Sequence, residues 1–414
     1  MKIKKTRVLH CMAALLTAGM LLTGCAPPGA ESSVSAASAQ TTTTPQTGQG
    51  TGTTAGTQAP SLATVPTWTL HSEVDMNESY PTRTVTMKEL ARTARLKGRT
   101  VEMDGWVSFE WSASGFELYG KLEGDILVSA YVDIGPSAAY FEVVVDGDRE
   151  NARQVCLNVG EGDYYLVQGL PKGYHFIEVS KRTESQFNAL LLQEITYTGI
   201  LEAPPEPVRR IEFIGDSITC GQGYEVQGQI TDYPGSEDGV NAYTGQTARA
   251  LQAEYQVIGL SGWGAFGGGG TDQNRLSRVY EYASYRRMGA GKWDFSVWQP
   301  DAVVINLGTN DFNYRNEGHP MTAADYKAEV KNLIRMVRAN NPKATIFWAY
   351  GMMGTHMQEE ILDAIDELKA DGETVHYVRL PENWDGGDAH PSKVGHAAAA
   401  EVLTKAMRET LGWG

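Results

Sequence analysis

From Arg210 to Leu411 short apolar runs alternate with longer amphipathic ones, and this alternation restricts the fold more than any other feature of the chain. Residues 210–215, 255–260, 302–307, 344–350 and 374–378 read as strands, the third of them almost continuously apolar. Between them lie helical stretches at 241–254, 357–370 and 393–411, and one more in which Tyr326, Val330, Leu333, Ile334 and Val337 recur at offsets 0, 4, 7, 8 and 11. Those offsets put five apolar side chains on one helical face. Thr322 is placed to cap its start, and Pro342 follows its end. Strands buried on both faces and joined by helices build a parallel sheet covered on both sides, an α/β fold. In such sheets the working groups collect outside the carboxyl ends of the strands.

Upstream the pattern changes. The stretch Leu201-Glu202-Ala203-Pro204-Pro205-Glu206-Pro207 has three prolines in its last four positions, which stops any regular element. Before it, β-rich runs at 100–107, 116–122, 126–132, 140–145, 164–167, 175–181 and 190–197 are separated by glycine-rich or Asp-Gly turns such as Asp146-Gly147. Seven short strands at this spacing predict a β-sandwich of the jelly-roll form over residues 67–200, with one helix at 87–96. The α/β domain then occupies residues 208–414.

The first 66 residues belong to neither domain. Lys2, Lys4, Lys5 and Arg7 precede an apolar stretch from Met12 to Leu22, shorter than the roughly 20 residues of a membrane span. Leu22-Thr23-Gly24-Cys25 follows and resembles a bacterial lipobox, which makes 1–24 a lipoprotein signal peptide and Cys25 the lipidated first residue. An ordinary cleaved signal with a chance cysteine is the alternative. Residues 25–66 are almost only Ala, Ser, Thr, Gln, Gly and Pro, too polar to offset the entropy of ordering, and are expected to form a disordered tether. The expected location is the bacterial cell surface, on the outer face of the plasma membrane or on an outer membrane.

The chain has 35 basic and 50 acidic residues; without the four bases of the signal the balance is 31 to 50, a net charge of -19. Such a surface repels phosphate backbones, so nucleic acid is not expected as a partner. Cys156 and Cys220 remain once Cys11 leaves with the signal and Cys25 carries lipid. They fall in different domains and in no metal spacing, and we expect two free buried thiols.

Three patches carry the chemistry: Gly215-Asp216-Ser217, Gly308-Thr309-Asn310-Asp311 and Asp388-Ala389-His390-Pro391. Each lies at the end of an expected strand or just before the last helix. A serine hydroxyl is a poor nucleophile until a neighbouring base takes its proton. For Ser217 that base is His390, with an ordinary pKa of about 6.5, and Asp388 is expected to hold the other ring nitrogen. The oxyanion donors are expected to be the Ser217 N–H, the Gly262 N–H and the Asn310 side-chain amide, each worth roughly 3 to 4 kcal/mol. Taken singly, each patch is a common turn or cap. In order, and each at the right end of its element, they read as a serine hydrolase site. The run Gly267 to Gly270 reads as a mobile loop at the site's mouth and His396 as structural. His175, His319, His356 and His376 lack metal spacing, and no phosphate-binding glycine loop is present, so neither metal nor cofactor is expected.

The second half of the chain thus resembles the SGNH, or GDSL-like, hydrolase superfamily, with its blocks at Ser217, Gly262, Asn310 and His390. The domain order, with His175-Phe176-Ile177-Glu178-Val179-Ser180-Lys181-Arg182-Thr183-Glu184 ahead of Ile214-Gly215-Asp216-Ser217-Ile218-Thr219-Cys220-Gly221, is similar to carbohydrate esterase family 2. The resemblance spans about Tyr80 to Leu411. It implies a flavodoxin-like sheet and a secreted serine esterase that removes O-acetyl groups from plant polysaccharides such as glucomannan or xylan, preferring the 6-position of hexoses, through an acetyl-enzyme intermediate. The last block departs from the superfamily's Asp-x-x-His, because position 387 is Gly. Asp388, more weakly Asp385, or a backbone carbonyl in a Ser-His dyad is left to orient His390. Sugars are bound by aromatic faces and hydrogen bonds, so Trp263 and Trp384, beside the motifs, are expected to wall the site, with Trp298 and Trp348 in the core. Trp106, Trp111 and Tyr119 form either a sugar platform or part of the domain interface. The rival functions are a lipid or thioester hydrolase of the same superfamily and a non-catalytic glycan-binding lipoprotein. We expect a monomer whose partner is an acetylated polysaccharide or oligosaccharide.

Overall fold

The computed structural model describes residues 74–413 apart from 134 and 136. The expected signal, tether and lipidation residue Cys25 lie outside the described residues.

The first domain is made of antiparallel ladders. Its strands are β1 (Thr82–Thr86), β2 (Arg95–Lys97), β3 (Thr100–Met103), β4 (Trp106–Phe109), β5 (Gly115–Val132), β6 (Ala139–Val145), β7 (Arg153–Leu157), β8 (Gly160–Lys181) and β9 (Leu190–Glu202). Where the two sheets of a jelly roll are expected, the ladders join all nine strands into one sheet, in the order β3-β4-β9-β5-β8-β6-β7 with β1 on β9 and β2 on β5. The cause is strand length. Residues 116–122 and 126–132 are one strand, β5, whose register slips between Leu122 and Leu127. The intervening Glu123-Gly124-Asp125 looks like a turn but is a bulge, with Gly124 at a φ of 76°. In the same way β8 absorbs both 164–167 and 175–181. Bulged strands bend, and the sheet curls over a core that includes Phe116, Leu118, Val128, Phe141, Ile177 and Leu192. The helix expected at 87–96 is only α1 (Met87–Leu90), opened by a capping box between Thr86 and Glu89, because Arg95–Lys97 is claimed by pairing with β5.

The second domain follows the expected alternation. Strands β10 (Arg210–Gly215), β11 (Glu254–Gly259), β12 (Ala302–Asn306), β13 (Thr345–Tyr350) and β14 (Val375–Arg379) form a wholly parallel sheet in the order β11-β10-β12-β13-β14. Its helices are α2 (Ser217–Cys220), α3 (Tyr233–Ser236), α4 (Tyr243–Ala250), α5 (Thr309–Asn316), α6 (Ala323–Asn340), α7 (Gln358–Ala370) and α8 (Lys393–Leu411). Helix α6 buries the five residues of its apolar stripe and starts at a capping box between Thr322 and Asp325. Helices α6 and α7 pack on one face of the sheet, α4 and α8 on the other. The strand order turns back between β10 and β12, where a doubly wound sheet opens a crevice at its carboxyl edge. Ser217 follows β10 and Asn310 follows β12.

The two domains share packing. Trp111, after β4, is 1% exposed within the second domain's core, and its Nε1 donates to the Ala283 carbonyl at 2.8 Å. It belongs to the interface, not to a sugar platform. Arg99 is buried against Glu212 of β10 at 2.8 Å and also donates to the Tyr280 carbonyl. Cys220 is free and buried as expected, whereas Cys156, also expected to be buried, is half-buried. Among the described residues no helix is long and apolar enough to cross a membrane.

Candidate active site

Strand β10 ends on Gly215, where a side chain has no room: a Cβ there would lie 2.0 Å from Thr219 Oγ1 and 2.9 Å from the Asn306 carbonyl oxygen. The chain turns at Asp216, which caps α2 by accepting the Ile218 N–H at 3.0 Å. Burial pushes this carboxyl up to about 7. The turn sets Ser217 in the wall of an open cleft of about 510 Å³, together with His390, Asn310 and Gly262.

His390 Nε2 lies 2.9 Å from Ser217 Oγ. Its Nδ1 lies 3.2 Å from the Gly387 carbonyl oxygen, which can only accept, so Nδ1 carries the proton and Nε2 is left to take the serine's. Burial lowers the imidazole pKa below its ordinary value, against the opposing pull of the Gly387 and Asp388 backbone and the Asp388 charge. The ring is therefore neutral, the base form, at neutral pH.

The carboxylate of Asp388, the expected orienting acid, makes no hydrogen bond to the ring. Its carboxylate accepts the Ile230 N–H at 3.0 Å and the Tyr233 hydroxyl at 2.8 Å. The backbone explains this. Asp388 and Ala389 adopt left-handed φ values of 48° and 57°, and the chain folds back so that the His390 N–H also reaches the Gly387 carbonyl, at 3.0 Å. The turn brings the Gly387 carbonyl to the ring's Nδ1 and carries the Asp388 side chain to Ile230 and the start of α3. Asp385 is bonded to Asn383 at 2.8 Å and is no substitute.

Among the described residues, the N–H groups of Ser217 and Gly262 donate to no protein acceptor. The Asn310 amide nitrogen donates to the Trp263 carbonyl at 2.9 Å and to Asp216 at 3.2 Å. Service at an oxyanion thus requires it to exchange one bond, and the longer one to Asp216 is the weaker. Asp311 gathers the N–H groups of Ala265, Phe266 and Gly267 at 3.0, 2.7 and 3.2 Å. The glycine run expected as a mobile loop is, in its first half, a packed floor. Gly267 and Gly268 are buried, and a Cβ on Gly268 would lie 2.2 Å from the Gly262 carbonyl oxygen and 2.9 Å from Asn310 Cβ.

Neither expected tryptophan walls the cleft. Trp263 is 7% exposed and packs edge-on against Tyr285, ring centroids 5.5 Å apart, so only its carbonyl reaches the site. Trp384 is 45% exposed but stands beside Gly354, outside the lining. The aromatic wall is instead Phe187 with Tyr233, ring centroids 6.4 Å apart, flanked by Gln186 and Gln222. Glu184, Gln186 and Phe187 follow β8 of the first domain, so the cleft is built from both domains. The available sequence signal was the polar run Lys181 to Gln186 directly after an apolar strand, with no Gly, Pro, Asn or Asp in it to carry it to solvent.

One group of potential metal ligands lies together among the described residues: Glu184, Cys220 and Glu237 bring ligand atoms within 4.8 Å of one another. Burial pushes the Cys220 thiol well above its ordinary range. His396, expected to be structural, is buried and accepts the Tyr243 N–H at 3.1 Å.

Residues 213–398 match the GDSL-like lipase/acylhydrolase family, and residues 96–207 match the carbohydrate esterase 2 N-terminal family. The chain is 34% identical over 323 residues to the cellulase/esterase CelE of Acetivibrio thermocellus, a match that covers 73% of this chain and only 38% of that protein. It is 30% identical over 283 residues to an acetylxylan esterase / glucomannan deacetylase of Cellvibrio japonicus, covering 66% of this chain and 77% of that one. The solved structure of a family two carbohydrate esterase from Clostridium thermocellum, in complex with cellohexaose, aligns with a TM-score of 0.71 at 32% identity over 78% of this chain and 100% of that one. With both domains matched in order and the serine and histidine in contact, the chain belongs to carbohydrate esterase family 2 and is a carbohydrate esterase.

Proposed function

We propose that the protein removes O-acetyl groups from plant polysaccharides, glucomannan or xylan and their oligosaccharides, outside the cytoplasm. The 2.9 Å contact between Ser217 Oγ and His390 Nε2 in an open cleft carries this reading. Ser217 Oγ attacks the acetyl carbonyl carbon while His390 Nε2 takes its proton, and the oxyanion that forms is met by the Ser217 and Gly262 N–H groups and the Asn310 amide. Collapse breaks the bond to the sugar oxygen, which takes the proton from His390. Water, deprotonated by His390 in turn, then releases acetate from Ser217. The Gly387 carbonyl takes the place of a triad carboxylate, so the machinery is a Ser-His dyad. Phe187 and Tyr233 offer ring faces and Gln222 a neutral hydrogen-bonding group, a lining suited to an uncharged sugar. The net charge of -15 disfavours phosphorylated or nucleic-acid substrates.

The same reading makes Cys25 a lipid anchor that holds a monomeric enzyme at the cell surface on the 25–66 tether, and the first domain a jelly roll whose two halves are joined through the long bulged strands. Acetate release from 4-nitrophenyl acetate, butyrate and octanoate, beside a Ser217→Ala control, tests the chemistry. Fast acetate hydrolysis that collapses with chain length and vanishes in the control supports it, with acetylated glucomannan and xylan tried next. A preference for octanoate would move the assignment to a lipid or thioester hydrolase, and equal background in both proteins to glycan binding alone.

A further inference from the structure

The segment that leaves β8 crosses from the first domain to the loop carrying Gly262. Glu184, 0% exposed, receives three donors on one oxygen: the Ser261 N–H at 2.8 Å, Gln186 Nε2 at 3.1 Å and, weakly, the Cys220 thiol at 3.9 Å. Gln186 Nε2 also donates to the Ser261 carbonyl oxygen at 2.6 Å. Both amide hydrogens of Gln186 are thereby engaged, and because a backbone carbonyl cannot donate, the bond to Ser261 defines which end of the amide is nitrogen.

The Ser261 carbonyl and the Gly262 N–H belong to one peptide unit. In a trans peptide they point in opposite directions across a plane that resists twisting. A bond that holds the carbonyl therefore sets the direction of the N–H. Gly262 needs such a restraint, since its φ is 78° and no atom lies within 4 Å of where a Cβ would stand. Accepting at the carbonyl also polarises the peptide and strengthens the N–H as a donor. The clamp is itself anchored: the Glu184 N–H donates to Glu237 at 2.7 Å, and the Gln186 carbonyl accepts from Arg286 at 2.5 Å.

We propose that Gln186, steadied by Glu184, is a positioning residue that aims the Gly262 N–H at the developing oxyanion, which makes the first domain a working part of the esterase site. This rests on the oxyanion role given to Gly262 above. Such an effect belongs to the transition state, so it is read in kcat and not in KM. Gln186→Met keeps the side-chain volume and removes both donors, and Gln186→Ala removes the side chain. Both are expected to lower kcat for 4-nitrophenyl acetate by about 10²-fold, the scale of a misplaced catalytic group, with KM little changed. Affinity for methaneboronic acid, which becomes a tetrahedral anion when Ser217 Oγ adds to boron and His390 takes the serine proton, should fall in parallel, and the thermal midpoint should stay at the wild-type value. Wild-type kcat and boronate affinity in Gln186→Met would overturn the proposal. So would a rise in KM at constant kcat, the mark of a lost sugar contact, or a thermal midpoint that falls with kcat in both variants, the mark of a purely structural role. A wild-type protein that neither hydrolyses the ester nor binds the boronate would instead overturn the esterase reading itself.

Discussion

At the scale of single residues, the orientation of His390 separates a dyad from a triad. The Gly387 carbonyl holds the ring, while the Asp388 carboxylate is bonded to Ile230 and Tyr233. Asp388→Asn is therefore expected to lower kcat far less than the roughly 10⁴-fold loss that follows the same change in a true triad, and steady-state kinetics on 4-nitrophenyl acetate decides it. The pH profile follows from the same ring. The base must be neutral, so kcat/KM is full above the folded pKa of His390 and is lost as pH falls through it. Because burial lowers that pKa, the acid limb is expected below pH of about 6.5, and a limb above that value would contradict the environment described. Ser217 and His390 were legible in the sequence because order and strand ends identify them. Between Asp388 and a backbone carbonyl as the partner of His390 the sequence left the choice open, because two successive left-handed residues decide where the Asp388 side chain goes, and nothing in Asp-Ala-His announces them.

At the scale of elements, legibility tracks how local the deciding forces are. The apolar stripe of α6 and its Thr322 cap are set within the helix itself, and the expected and observed faces coincide. Strands β5 and β8 are held by pairing with distant chain, so the bulge at Gly124 looked like the end of one strand and the start of another. Strand β1, Thr-Arg-Thr-Val-Thr, was missed because it is too polar to show a buried face, yet it lies along β9. The glycine run after Trp263 shows the same limit at the active site. Its composition reads as flexible, whereas Asp311 and the close approach to Gly262 and Asn310 turn its first half into a floor. Gly268→Ala sets a Cβ against both the Gly262 carbonyl and Asn310, so the oxyanion donors shift and kcat is expected to fall by about 10²-fold. Its circular dichroism should remain that of the wild type, because Gly268 lies outside the named strands of both sheets. Full activity in this variant would mean that the floor does not set the site.

At the scale of the whole molecule, the cleft and the interface make the two domains one catalytic unit. Phe187 and Gln186 come from the first domain, Ser217 and His390 from the second, and Trp111 of the first lies in the core of the second. The interface place of Trp111 was one of two readings the sequence offered, but the first domain's share of the cleft was not legible, because the partners are far apart along the chain: Arg99 and Glu212 are 113 positions from one another. That pair gives the sharpest test of coupling. Both side chains are buried, and Glu212 is also bonded to Gln256 at 2.8 Å and Tyr280 at 2.7 Å, so it sits in a site built for a paired carboxylate. Arg99→Ala leaves that carboxylate in the interior without its cation, a change that costs about 3–5 kcal/mol when one partner of a buried pair is removed. Since one partner belongs to each domain, the loss is expected to fall on both. Urea unfolding followed by tryptophan fluorescence and by ester hydrolysis should shift to lower denaturant together, with the two curves still coincident. Curves that separate, with hydrolysis surviving after the first domain has melted, would show that the second domain holds its site without the first. They would also remove the structural ground for the clamp that Gln186 places on the Ser261–Gly262 peptide.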